Sequence, residues 1–132
     1  MVEDNPAYTM LIKNALLEFN GRTRLITAET GVEALSMLVS DKPDLVVLDL
    51  NMPTMNGFEF LEEKKHLAKP FRFVPVIVLT TSPLKRDIWA SYELGAAEYI
   101  VKPQDYKSFK NVACYLLGFY RLARFPNEDT NH

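Results

Sequence analysis

Leu45-Val46-Val47-Leu48-Asp49-Leu50-Asn51-Met52-Pro53 contains four consecutive apolar residues that end in a carboxylate and run into a proline. A strand apolar on both faces belongs to a parallel sheet covered by helices on either side, because an antiparallel sheet with one wet face alternates instead. Two more runs of this kind follow. Val74 to Leu79 ends in Thr80-Thr81-Ser82, and Glu98 to Val101 ends in Lys102-Pro103. Helical spacing fills the gaps between them. After the break at Pro53 and Asn56-Gly57, Phe58, Leu61 and Lys64-Lys65 predict a partly exposed helix. Ile88, Trp89, Tyr92 and Leu94 predict another, stopping at Gly95, and Phe109, Val112, Ala113, Leu116 and Tyr120 a long closing one. Towards the N-terminus, Asn5-Pro6 caps a helix carrying Leu11, Ile12, Ala15, Leu16 and Phe19 and ending near Asn20-Gly21. Arg24 to Ala28 reads as a short β piece and Val32 to Leu38 as a short helix. Strands alternating with helices make βαβ units, hence an α/β fold.

The 132 residues are 48% apolar, which suits one domain over residues 1–125, followed by a flexible polar tail over 126–132. A net charge of −2 gives no general attraction for nucleic acid or anionic lipid. No apolar stretch approaches the roughly 18 residues of a membrane span. The one cysteine, Cys114, has no pair, sits among Ala113, Tyr115 and Leu116, and reads as a small core residue in a reducing compartment; the expected location is the cytoplasm. Only Met1 and Val2 precede Glu3-Asp4, so the first strand of the fold is expected to be largely missing, through truncation or as a vestige. Such a loss would open the core and loosen the turn bearing Glu3 and Asp4.

In an open parallel sheet, residues that terminate the strands share one edge whatever their separation in sequence. Here they are Glu3, Asp4, Asp49, Thr80 and Lys102: three carboxylates, a hydroxyl and an amine. Three acids gathered together repel unless a cation lies among them, and oxygen donors without His or Cys suit Mg²⁺. Lys102 on the far side leaves Asp49 flanked by metal and ammonium. That setting neutralises an incoming phosphoryl group and makes Asp49 a nucleophile candidate. Each residue also has a plainer reading: Asp49 as a turn opener, Glu3 and Asp4 as helix-capping acids, Lys102-Pro103 as a strand exit, Thr80 and Tyr99 as sheet residues. Met52 and Met55 read as packing residues, and His66 and His132 as surface and tail positions without a chemical role.

Val2-Glu3-Asp4-Asn5-Pro6, Val47 to Pro53 with Met55-Asn56-Gly57, Leu79-Thr80-Thr81-Ser82 and Tyr99-Ile100-Val101-Lys102-Pro103 together resemble the motifs of the response-regulator receiver domain of two-component signalling. The resemblance spans almost the whole chain. It implies a flavodoxin-like, doubly wound, five-stranded parallel sheet in the order 2-1-3-4-5. It also implies roles: Asp49 as phosphoacceptor, Glu3, Asp4, Asp49 and the Asn51 backbone carbonyl as Mg²⁺ ligands, Lys102 as the partner of the phosphoryl oxygens, Thr80 and Tyr99 as the switch pair, and Asn51 and Ser82 as positions tuning dephosphorylation. The implied partners are a sensor histidine kinase or a histidine phosphotransfer protein. Within the family, Leu79-Thr80-Thr81-Ser82, Trp89 to Gly95 and Phe119-Tyr120 are most similar to stand-alone receivers paired with bacterial phytochromes and similar sensor kinases. A homodimer through the fourth helix, last strand and last helix is expected from Trp89, Tyr92, Phe119 and Tyr120.

Other functions fit less well. An aspartyl-nucleophile phosphohydrolase dependent on Mg²⁺ needs a second carboxylate two residues after the nucleophile, where Asn51 stands. A flavin carrier of the same topology needs a Ser/Thr/Gly-rich loop where Asn5-Pro6-Ala7-Tyr8 stands. A degenerate receiver acting only as a docking module would never take phosphate. The expected protein is therefore a phosphoacceptor and no enzyme beyond its own phosphorylation and dephosphorylation.

Overall fold

In the computed structural model, which describes residues 1–19, 23–52 and 54–125, the apolar runs form three strands: β1 (Val46–Leu48), β2 (Val76–Thr80) and β3 (Glu98–Val101). β1 pairs in parallel with β2, Val46 opposite Val76. β2 pairs in parallel with β3, Ile77 opposite Glu98 and Thr80 opposite Val101. Every residue of β2 is buried, as a strand covered on both faces requires.

Two further places in the sheet are held by single residues. Val2 bridges Ala28 on one side and Leu48 on the other, both in parallel. The Val2 N–H donates to the Val47 carbonyl (2.7 Å), the Asp49 N–H to the Val2 carbonyl (3.0 Å), and the Glu3 N–H to the Ala28 carbonyl (2.9 Å). Across the sheet the order is Ala28, Val2, β1, β2, β3, which is the expected 2-1-3-4-5 with its first two places shrunk to bridges. The expected β piece from Arg24 to Ala28 is thus corrected to Ala28 alone. A parallel strand forms only against a neighbour, and Met1 to Glu3 reach no further back than Ile26, whose carbonyl accepts from the Met1 amino group at 2.8 Å. Beyond that contact lies a cavity of about 340 Å³ lined by Leu25, Ile26, Met37, Leu45 and Leu117 among others. In the acidic turn Val2 and Glu3 are buried and Asp4 is exposed.

Among the described residues five α-helices flank the sheet: α1 (Pro6–Phe19), α2 (Gly31–Ser40), α3 (Gly57–Lys64), α4 (Lys85–Glu93) and α5 (Tyr106–Leu122). Their starts follow from local chemistry. Thr30 accepts from the Glu33 N–H, Asn56 and Glu59 form a reciprocal capping box, and Asp105 accepts from the Ser108 N–H. Alternate residues of the strands point to opposite faces. Ile77 and Leu79 pack with Ile12, Leu16, Phe109, Ala113 and Leu116 of α1 and α5. Val46, Leu48 and Val76 pack with Ala34, Leu38, Phe60 and Leu61 of α2 and α3.

Several sequence expectations change. Cys114 is exposed, because on α5 the turn that buries Phe109, Ala113, Leu116 and Leu117 carries its neighbour outward. Lys64 is buried rather than on an exposed face; its ammonium donates to the Arg72 carbonyl at 2.7 Å, and burial pulls it down to about 8. Met52 and Met55 do pack in the α2–α3 core. The end of α1 at Asn20-Gly21, Pro53, and the tail with His132 lie outside the described residues. Among the described residues no helix is long and apolar enough to cross a membrane.

Candidate functional site

Asp49 follows β1 directly, at the sheet's carboxyl edge, and is 7% exposed. The turn after it is fixed from two directions. Its Oδ1 accepts from the Asn51 N–H at 3.3 Å, and the Gly57 N–H donates to the Leu50 carbonyl at 2.9 Å. A Cβ at Gly57 would lie 2.7 Å from Leu50 Cα and 2.8 Å from the Asp49 carbonyl oxygen, backbone atoms that cannot yield. Only glycine lets the start of α3 press against the acidic turn.

Glu3 and Asp4 leave the Val2 bridge on the same edge. One carboxylate oxygen each from Glu3, Asp4 and Asp49 lies within 4.8 Å of the others, Glu3 and Asp49 buried and Asp4 exposed. Lys102 follows β3, its N–H bonded to the Thr80 carbonyl at 2.7 Å. Its buried ammonium pairs with Glu3 Oε1 and stands 3.5 Å from Asp49 Oδ2. It also lies 3.8 Å from the ring centre of Tyr8. Burial pushes the Glu3 carboxyl up to about 7; the hydrogen bond from Lys102 works against this, and the neighbouring Asp49 carboxylate adds to it. The cluster holds more acid than base, in hard oxygen donors with one exposed side, and this fits a divalent metal ion.

Thr80 ends β2 fully buried, and among the described residues its Oγ1 has no hydrogen-bond partner. A buried hydroxyl without a partner is costly and points to a ligand atom it can reach after a small movement. The Ser82 hydroxyl donates to Asp87 Oδ2 at 2.5 Å, and the Tyr99 hydroxyl donates to the Ser82 carbonyl at 2.8 Å. Tyr99 is half-buried beside Leu50, Val78 and Ala96. Asn51 is exposed at the rim. The structure thus brings Glu3, Asp4, Asp49 and Lys102 together, with Thr80 at the end of the strand between Asp49 and Lys102. Ser82 and Tyr99 are joined to each other one loop away. Sequence reasoning missed Asp87, for which no spacing gave a signal. It also missed the contact of Tyr8, in the first turn of α1, with Lys102.

Residues 1–113 match the response regulator receiver domain family. The chain belongs to that family. This receiver domain is 36% identical over 120 residues to response regulator Rcp1 of Synechocystis sp., covering 85% of this chain and 81% of that protein. A solved structure of Rcp1 in its Mn²⁺-bound form superposes with a TM-score of 0.83 at 30% identity, covering 95% of each chain. The phosphorylated cyanobacterial phytochrome response regulator RcpA superposes with a TM-score of 0.85 at 33% identity, covering 96% of this chain and 95% of that one. A protein-glutamate methylesterase/protein-glutamine glutaminase of Myxococcus xanthus is 32% identical over 135 residues, and there the receiver spans all of this chain but 38% of the relative's length.

Proposed function

We propose that this receiver accepts a phosphoryl group from a phosphohistidine onto Asp49 and answers with a change of its protein-binding face. The observation that supports it best is the placement of Asp49 between Lys102 and two other carboxylates, with an unpartnered buried hydroxyl at the next strand end. In the transfer, an Asp49 carboxylate oxygen attacks phosphorus, the P–N bond breaks, and the imidazole leaves with its electron pair. Glu3, Asp4, Asp49 and the Asn51 carbonyl would hold Mg²⁺, which supplies neutralising charge for the phosphoryl oxygens. Lys102 holds a second positive group beside Asp49 Oδ2. Thr80 gives its hydroxyl to a phosphoryl oxygen, and since Tyr99 is tethered to the Ser82 carbonyl two residues on, that movement pulls at the switch aromatic. Asn51 and Ser82 flank the acceptor and tune how long it stays phosphorylated. A histidine kinase or histidine phosphotransfer protein is the donor, and the single unpaired cysteine fits the cytoplasm. Acetyl phosphate with Mg²⁺ should add one phosphoryl group, located on Asp49 by mass spectrometry; a chain that stays unmodified argues against the reading.

Metal binding carries its own pH signature. Glu3 must lose its proton to act as a ligand, and its pKa stands near 7 before the ion arrives. Mg²⁺ affinity therefore rises as pH climbs through 7 and levels off above it, being about tenfold weaker at pH 6 than at pH 8. Calorimetry in two buffers should show close to one proton released per ion at pH 6. A flat affinity over that range would show either that Lys102 keeps Glu3 ionised down to pH 6 or that Glu3 lies outside the metal site, and Glu3→Gln, which weakens Mg²⁺ binding only if Glu3 is a ligand, separates the two.

The face formed by α4, β3 and α5 exposes Trp89 at 68%, with Tyr92, Val101, Tyr106 and Tyr115. Phe119 and Tyr120 are half-buried and pack against Phe125, so the expected aromatic patch is narrowed to the residues of α4 and its neighbours. A second copy of the chain covers this patch in the proposed dimer. Sedimentation should show association at tens of micromolar, a rough scale for weak dimers, that Trp89→Glu removes; a wild-type monomer at that concentration would refute it.

A further inference from the structure

The ring of Tyr8 lies with its centre 3.8 Å from Lys102 Nζ and is itself stacked on Phe109, with centroids 5.9 Å apart and planes 25° from parallel. Phe109 is a core residue of α5, 2% exposed. From this geometry we propose that Tyr8 is a positioning residue for phosphoryl transfer, an aromatic shelf whose negative face aims the Lys102 ammonium at Asp49. The inference rests on the acceptor reading of Asp49 and adds a residue to it.

The physical need for such a shelf comes from the competition at the site. Lys102 has four rotatable bonds and two carboxylate neighbours, Glu3 and Asp49. A metal ion claims those same carboxylates, and a phosphorylated Asp49 no longer offers the original oxygen. A third carboxylate under the ammonium would hold it firmly but would repel the phosphoryl group and attract further cations. The face of an aromatic ring holds a cation through its quadrupole while carrying no net charge and no strong metal-ligand atom. Tyr8 therefore holds Lys102 in place whether the carboxylates are engaged or free. Phe109 fixes the ring plane from behind, so support runs from the α5 core through Tyr8 to the reacting edge, and α5 belongs to the face proposed to bind partners.

The test uses the whole chain with acetyl phosphate and Mg²⁺. Tyr8→Leu should slow phosphoryl acceptance roughly 3- to 30-fold, with Mg²⁺ affinity unchanged, while Tyr8→Phe stays within about twofold of wild type. Site-specific phenylalanines bearing one to five fluorines at position 8 keep the shape and weaken the quadrupole, so the rate should fall stepwise along the series. A rate indifferent to fluorination, or a Leu variant as fast as wild type, overturns the proposal. The Lys102 side-chain protons should show an upfield ring-current shift in wild type that Tyr8→Leu abolishes, and this readout needs no phosphorylation. If the shift is present and the wild-type chain takes no phosphate, the acceptor reading of Asp49 fails and the ring contact stands; if the shift is absent, the shelf fails.

Discussion

Asp49→Asn yields a folded chain that takes no phosphoryl group from acetyl phosphate, the whole of the labelling at this site being lost. The amide has almost the shape of the carboxylate, so the buried space after β1 stays filled and the carbonyl oxygen still accepts from the Asn51 N–H. A neutral amide, however, is not a nucleophile toward phosphorus. The substitution also removes one of the charges that hold the Glu3 carboxyl up, so Glu3 moves back toward the ordinary carboxylate range. Mass spectrometry of wild type and variant side by side checks the first outcome, and thermal unfolding of both checks that the fold survives. Equal labelling of the two would move the acceptor to another residue.

Lys102→Met separates two quantities that a general loss of structure would move together. Phosphoryl acceptance should slow about 10²- to 10³-fold, the usual consequence of deleting one preorganised positive group at a site of developing charge. Above the pH at which Glu3 ionises, Mg²⁺ binding should tighten, by roughly tenfold, because the ammonium paired with Glu3 competes with the ion; two unit charges about 4 Å apart exchange several kcal/mol at a protein-like dielectric, of which screening leaves a part. Without metal the variant is less stable, since Glu3 and Asp49 lose their buried cation. That loss is larger at pH 8 than at pH 6, where Glu3 carries a proton. Calorimetric titration with Mg²⁺ beside a phosphorylation time course reads both arms, and weaker metal binding in the variant would show that Lys102 organises the carboxylates and does not compete for them.

The sheet was legible where burial alone determines structure. Leu45 to Leu48 and Val74 to Leu79 are apolar on both faces, and the observed strands lie within two residues of those runs; Glu98–Val101 has the expected bounds. Arg24 to Ala28 was misread because its extended form depends on a neighbour, which is a property of the pairing and not of those five side chains. Lys64 was misread because its position on α3 is decided by the Arg72 carbonyl in the short 3-10 turn Phe71–Phe73, for which local pattern gave no signal. At the site, the rule that strand ends share an edge was enough to bring Glu3, Asp4, Asp49 and Lys102 together. It could not show which groups bond to which. The Ser82 to Asp87 bond and the ring under Lys102 depend on side-chain directions that helical spacing leaves open.

Val2 holds Ala28 and Leu48 at once, and the next two residues carry two of the three clustered acids. Any force drawing those acids toward a bound ion is therefore transmitted along a single peptide to the seam between the two halves of the sheet. An ion held by these acids would act as a clasp: filling the acidic corner would fasten the seam between Ala28, Val2 and Leu48, and thermal unfolding with and without Mg²⁺ reads that gain.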